Sequence, residues 1–408
     1  MQNRLSDVLR VAKMGTKYYK DLIGDEKDFK KDFSPKLTKS DVQNQQNDLL
    51  VDEYRGELIN YLEVARTSGS TGVFVEVLWH PQELLQSNLC LWRRRNIYYN
   101  VKPNAKYLTF HSNIYEGNRV LEIEKVMMKN GGKILSLSKF HLNDDNFVEY
   151  LRIIKKFQPQ WIFTQPSTLL LFLEYLDKFH ITCEEIFTNL QYIELTGEIC
   201  LSSVKKLIKN KFQVPVANMY GCNETNSIAY ECPNGHMHVM DDNVYIKIVS
   251  ESELTRRGKI LVTSLFNKVM PIIDYELNDI VEIEEGVLCP YSNSNILNVL
   301  VGRTYDAVRL PSGQHISSLD LLYCLEKINE NMGNIIKQFQ FRVNAHGNKL
   351  VLHIDKGNSE WENSIKKEFE LYYCKLHEYH NDDFELQFVY KYLASNSELK
   401  SKIFVFES

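Results

Sequence analysis

The residues best suited to chemistry lie at Arg66-Thr67-Ser68-Gly69-Ser70-Thr71-Gly72. Two glycines let the backbone come close to a ligand. Successive N–H groups in such a turn form a concavity for anions, and the four hydroxyls add donors that match phosphate oxygens. A Walker-type loop would end in Gly-Lys-Ser/Thr and open a helix. Here no lysine follows, and Val73 to Trp79 are mostly β-branched, aromatic or apolar, which predicts a strand. The loop is therefore expected between strands, either as a flap that holds phosphates or as a plain polar turn.

Such a loop needs a scaffold, and strands alternate with helical patterns through the middle of the chain. Strands are expected over 107–110, 134–137, 161–163, 191–195 and 214–217, with helices from about 81, over 144–157, from 166 and over 201–212. Phe147, Tyr150, Leu151 and Ile154 fall at helical spacing. That alternation implies βαβ units and a largely parallel sheet, whose ligands gather beyond the carboxyl ends of the strands. The rule selects Thr196-Gly197-Glu198, Tyr220-Gly221-Cys222-Asn223-Glu224 and the stretch after Phe110. From 237 to about 301, strands follow one another with little helix, which predicts an antiparallel subdomain. After Gly302-Arg303 a β-α-β-β-α-β order begins. The expected fold is α/β: a large N-terminal domain (1–302) of mixed and parallel sheet with flanking helices, and a small α+β C-terminal domain (303–408). Near the start, a helix is expected to be capped by Ser40.

A length of 408 residues calls for more than one core, and 44% apolar content supplies it. The net charge of −5 speaks against a nucleic-acid binder, and Arg93-Arg94-Arg95 is read as a solvated or packing run. The first residues lack the apolar stretch of a signal peptide. No run approaches the roughly 18 apolar residues of a membrane span. Eight cysteines show no C-x-x-C spacing, so a reduced, cytoplasmic protein is expected.

Four stretches stand in order: Thr67 to Gly72; Tyr220-Gly221-Cys222-Asn223-Glu224; Asp274-Tyr275-Glu276-Leu277-Asn278-Asp279; and Gly302-Arg303-Thr304-Tyr305-Asp306. The series resembles the acyl-adenylate-forming superfamily, in particular phenylacetate–CoA ligases and capsule-biosynthesis-type adenylating proteins. The resemblance implies ATP and Mg²⁺ as cofactors. It also implies a carboxylic acid, aryl or otherwise apolar, as substrate and a thiol acceptor, coenzyme A or a carrier-protein phosphopantetheine. It assigns the β- and γ-phosphates to residues 67–72, the adenine to Tyr220 and Thr196-Gly197-Glu198, and Mg²⁺ to Glu224. Gly221 and Asn223 belong to the same nucleotide-binding stretch, with Asn223 at the place of a usual threonine. Asp279 would accept from both ribose hydroxyls, as an acceptor-only carboxylate can, and Arg303 would reach ribose or phosphate. Asn278 replaces a usual glycine, which Asn can do because it also visits left-handed backbone. The hinge of the C-terminal lid falls at 304–306. Lys400 is the best match to the adenylation lysine, with Lys402 second.

The resemblance also implies a structural zinc in some members, and Cys232, His238 and Cys289 stand at matching places. Tyr291 occupies the position of a further cysteine, and His236 could fill the gap. A zinc site competes with a vestigial one whose cysteines merely pack, and the missing fourth ligand favours the second. Departures from the family pattern at 73, 223, 278, 291 and 305 leave an inactive nucleotide-binding relative as the alternative function.

Overall fold

A computed structural model describes residues 2–23, 36–66, 75–111, 126–250, 256–301, 307–309, 315–333, 335–336, 339–343, 350–354, 361–374, 387–390 and 404–406. The chain divides into two compact units, residues 1–102 with 217–304 and residues 103–216 with 305–408.

The first unit carries seven strands of sheet. Their order is Val244–Val249, Arg257–Ser264, Tyr275–Glu284, Ile296–Val301, Met237–Val239, Asn226–Glu231 and Val216–Cys222, and each neighbouring pair is antiparallel. The expected antiparallel subdomain is therefore present, and it extends further towards the N-terminus than the sequence suggested. The sequence predicts a strand over 214–217 followed by a loop; instead the strand runs through Tyr220 to Cys222 and turns back as a hairpin. Gly221 permits this close return, because a Cβ there would lie 2.6 Å from the carbonyl oxygen of Asn226.

A separate antiparallel pair, Glu63–Arg66 with Glu76–Trp79, flanks residues 67–74, which lie outside the described residues. Helix Pro81–Tyr99 follows, with Pro81 at its first position where no N–H is missed. Its arginines pack as expected: Arg94 makes a two-pronged pair with Asp242, and Arg95 lies over the Trp92 ring. The early helix Lys39–Asn44 is capped by Thr38, not Ser40. Thr38 and Asp41 form a reciprocal capping box that satisfies two backbone donors at once, whereas Ser40 already lies inside the helix. N-terminal Tyr19, fully buried, donates to the carbonyl of Pro271 and accepts from the N–H of Ile273. This pins the segment that leads into Tyr275–Glu284.

In the second unit, five strands run Tyr192–Thr196, Trp161–Thr164, Tyr107–His111, Ile134–Ser138, Val126–Lys129. All pairs are parallel except the last, as the βαβ alternation predicts. Helix Asp144–Phe157 buries the four predicted residues Phe147, Tyr150, Leu151 and Ile154. The later part of this unit contains strands Gln387–Tyr390, Leu350–Ile354, Phe339–Val343 and Phe404–Phe406 in that order, with helices Ser318–Met332 and Glu362–Tyr373. Glu326 of the first of these helices accepts from the N–H groups of Ser202 and Ser203. It thereby caps helix Ser202–Phe212, whose own N-cap, Leu201, has no side-chain acceptor.

Candidate functional site

In the first unit, two phenol–carboxylate pairs join the Val216–Cys222 hairpin to the Tyr275–Glu284 strand. Tyr220 donates its hydroxyl to Asp279 Oδ2 at 2.5 Å, and Tyr275 donates to Glu224 Oε1 at 2.7 Å. Three strands stand between these two in the sheet order. Each segment contributes one tyrosine and, four residues later, one carboxylate, and the pairs cross. Burial, and then the Asp279 carboxylate, push the Tyr220 phenol well above its ordinary range, so it remains a donor. Glu224 and Tyr275 are 6% and 3% exposed. Cys222, beside Glu224, is likewise pushed up by burial and by that carboxylate, and it contacts Thr225 Oγ1 at 3.1 Å.

The backbone around these groups is specialised. Asn278 has φ +61, the left-handed conformation expected for an asparagine in place of glycine. Asp274, next to Tyr275, has φ +48 and is 1% exposed. Its N–H donates to Thr263 Oγ1 at 2.9 Å, and its carboxylate receives Lys247 Nζ at 2.6 Å and the Thr263 hydroxyl at 3.3 Å.

A second cluster of the same unit gathers Cys232, His236, His238 and Cys289. One ligand atom of each lies within 4.8 Å of the others. The turn after Cys232 folds tightly: Cys232 N–H donates to His236 O at 2.9 Å and Gly235 N–H to Cys232 O at 2.8 Å, with Gly235 at φ +84. Cys232 and Cys289 are free thiols 3.8 Å apart. His238 Nδ1 meets the carbonyl of Ser294 at 3.1 Å. A carbonyl only accepts, so Nδ1 carries the proton and Nε2 keeps its lone pair, the arrangement that metal-binding histidines adopt. Burial lowers the His238 pKa, which favours that neutral form. Buried His238 Nε2 and His236 Nδ1 have no hydrogen-bond partner. Two thiols and two imidazoles are a tetrahedral zinc set, so the donors fit a zinc ion. Tyr291, at the place of the further cysteine, packs edge-on against Tyr98, and His236 is the fourth residue of the cluster.

In the second unit, Thr196 ends its strand and Gly197 follows at φ +81, where a side chain would be strained. Glu198 accepts from the Ser167 N–H at 3.2 Å and its hydroxyl at 2.9 Å, so its carboxylate caps helix Pro166–Lys178. Thr67, Ser68, Gly69, Ser70, Thr71, Gly72, Arg303, Lys400 and the hinge at 304–306 lie outside the described residues.

Residues 63–278, just over half of the chain, match the family described as AMP-binding enzyme. The chain belongs to that family. The match contains three of the four motifs whose order suggests it: the hydroxyl-rich loop, the Tyr220–Glu224 stretch and the Asp274–Asn278 run, with Asp279 and residues 302–306 beyond it. This AMP-binding enzyme is 22% identical to protein CapK of Staphylococcus aureus over 260 residues, 63% of this chain. That alignment takes in only 55% of CapK's own length. Among solved structures, it resembles 2-hydroxyisobutyryl-CoA ligase in complex with 2-HIB-AMP in the postadenylation state, at TM-score 0.72 and 12% identity over 99% of this chain and 88% of that one. It also resembles the anthranilate CoA ligase AuaEII in complex with anthranoyl-AMP, at TM-score 0.53 and 10% identity over 82% and 64%. At these identities the likeness establishes a shared α/β fold.

Two contacts of this AMP-binding enzyme lie outside the expectations drawn from its sequence, Tyr275 to Glu224 and Lys247 to Asp274. Tyr275 had no assigned role, and neither did the Asp274–Lys247 pair. A signal for the first was present: tyrosine followed four residues later by a carboxylate occurs at both 220–224 and 275–279.

Proposed function

We propose that this protein is an AMP-forming acid–thiol ligase. In the first half-reaction a carboxylate oxygen of the acid attacks the α-phosphorus of ATP. The bond to the bridging oxygen breaks, and pyrophosphate leaves with the electron pair. In the second, a thiol sulfur attacks the acyl carbon, the thiol proton is lost, and AMP departs as the thioester forms. The acid is aryl or otherwise apolar, and the acceptor is coenzyme A or a carrier-protein phosphopantetheine. No nucleic acid takes part. No helix among the described residues is long and apolar enough to cross a membrane, in keeping with a cytoplasmic enzyme.

The observation that carries this reading is the pair of crossed phenol–carboxylate contacts around the family-matched segment. They hold Tyr220, Asp279 and Glu224 in one unit before any ligand arrives. Catalysis of nucleotidyl transfer is mainly positioning and charge stabilisation, and such preorganisation serves both. Asp279 accepts the ribose hydroxyls, the Tyr220 ring covers adenine with Gly221 and Asn223 beside it, and Thr196-Gly197-Glu198 runs along the base. Residues 67–72 hold the leaving phosphates, Arg303 reaches ribose or phosphate, and Lys400 bridges acid and α-phosphate. Glu224 is the carboxylate for Mg²⁺, a hard cation that wants oxygen and, when bound, neutralises phosphate charge. Cys232, His236, His238 and Cys289 hold a structural zinc. Residues 303–408 form a lid that turns about 304–306 between the half-reactions.

The test is acid-dependent exchange of labelled pyrophosphate into ATP over a panel of aryl and short-chain acids, followed by thioester mass with coenzyme A or carrier proteins. Exchange with at least one acid is expected, and Lys400→Ala should abolish it while keeping the fold. Silence with every acid would favour a nucleotide-binding relative without ligase activity.

A further inference from the structure

Glu224 sits in a three-residue turn between Cys222 and Asn226. A free glutamate side chain there would sample several rotamers, and freezing it costs about 1.5–2 kcal/mol when a ligand must do so. The Tyr275 hydroxyl already does this, through a 2.7 Å bond to Oε1 in a buried setting. Bonds to charged groups are the stronger class. Tyr275 is in turn fixed. Its residue pairs with Val262 in the sheet, and the preceding Asp274 is held in left-handed backbone by Lys247 and Thr263. An L-residue keeps that conformation only against a cost of about 1–2 kcal/mol. The three contacts on Asp274 offset it. Lys247 and Thr263 thus hold Asp274, the backbone passes that constraint to the adjoining Tyr275, and the Tyr275 hydroxyl passes it to Glu224.

We infer that Tyr275 is a positioning residue: its phenol presets the Glu224 carboxylate in the orientation from which it binds the divalent cation that accompanies ATP. This rests on the cation role proposed for Glu224. The phenol occupies one lone-pair direction of a carboxylate that offers about four, so it orients the group without consuming it. Tyr220 does the corresponding work for Asp279, on the same two strands and in the opposite sense.

The experiment is calorimetric titration of the full-length protein with a non-hydrolysable ATP analogue, once with excess Mg²⁺ and once in EDTA. The ratio of the two affinities is the metal-dependent gain. In Tyr275→Phe the gain should fall about tenfold, equivalent to about 1.4 kcal/mol, while the affinity in EDTA stays within about twofold. An unchanged gain overturns the inference. So does an equal loss in both media, which would mark damaged packing rather than lost orientation. Glu224→Gln separates this from the parent reading. If Glu224→Gln leaves the gain intact, the cation role of Glu224 fails. If it removes the gain and Tyr275→Phe does not, only the positioning role fails. Should Tyr275→Phe not fold, Lys247→Met is read in the same way. A selective drop in gain supports the positioning of Tyr275 through Asp274, and an unchanged gain or a uniform loss overturns it.

Discussion

The two polar centres of the first unit are completed in opposite ways. At the nucleotide motifs, buried Glu224 and half-buried Asp279 each accept a phenol hydroxyl before any ligand is bound. At the cysteine–histidine cluster, two imidazole nitrogens are buried with nothing to bond, and two thiols face each other without a disulfide. Leaving a buried polar atom unsatisfied costs about 1–3 kcal/mol. A bound cation would remove that cost at both nitrogens at once. On the proposed function, the contrast would separate a ligand that comes and goes, whose site must be stable when empty, from an ion that is part of the fold.

The strongest way to break this contrast is at the cluster. Purified protein should contain about one zinc per chain by elemental analysis. Cys232→Ser should lose it, together with about 4 kcal/mol of stability at free zinc a thousandfold above its dissociation constant. Denaturant midpoints with and without a chelator give the comparison. A Cys232→Ser variant that matches the parent in both metal content and midpoint would return the cluster to ordinary packing.

Next in size is the nucleotide centre. Glu224→Ala should slow pyrophosphate exchange by a factor on the order of 10²–10³, the cost of losing one charge-stabilising group. Its stability should change far less than that of Cys232→Ser, because one hydrogen bond, from the Tyr275 hydroxyl to Glu224, is lost. An exchange rate equal to the parent's would remove Glu224 from the chemistry.

This difference between the centres also bears on what could be read beforehand. Helix Asp144–Phe157 was legible because its apolar residues repeat at helical spacing and all four face the core. The parallel strands were legible because each is a short β-branched or aromatic run between helices. The Val216–Cys222 hairpin was not. Asn218, Gly221 and Asn223 break the apolar alternation, so the strand seemed to end early, and only the bulge at Tyr220/Gly221 shows how the chain returns. Site residues were named from motifs, but their pairing was hidden, because the partners lie 59 and 51 positions apart. Local sequence carries no record of such crossings. His236 was visible as a candidate. What decided its place was the turn that brings its ring back beside Cys232, which depends on Gly235 in positive φ.

A smaller effect sharpens the same contrast at the hairpin. Gly221→Ala would put a methyl carbon 2.6 Å from the Asn226 carbonyl oxygen and 3.0 Å from the Ser227 Cα, both backbone. Neither atom can swing aside, so the strands must part, at about 1–3 kcal/mol. Because Tyr220 is the adjoining residue, AMP affinity should fall with stability, whereas zinc content should stay at the parent's value. Loss of zinc in this variant would show that the two centres are not built independently.

Smallest of all is Tyr220→Phe. The substitution keeps the ring assigned to adenine and removes only the hydroxyl that Asp279 accepts. The Asp279 carboxylate left behind is half-buried, so water can replace part of the lost bond. Stability should fall by about 1 kcal/mol, read as a lower urea midpoint at unchanged slope. AMP should bind within about threefold of the parent, since ribose hydroxyls donate to the same carboxylate that the phenol served. If affinity instead fell more than about tenfold, the hydroxyl would be touching the nucleotide itself. Asp279 would then be incomplete without its ligand, and the empty centre would no longer differ in kind from the metal cluster.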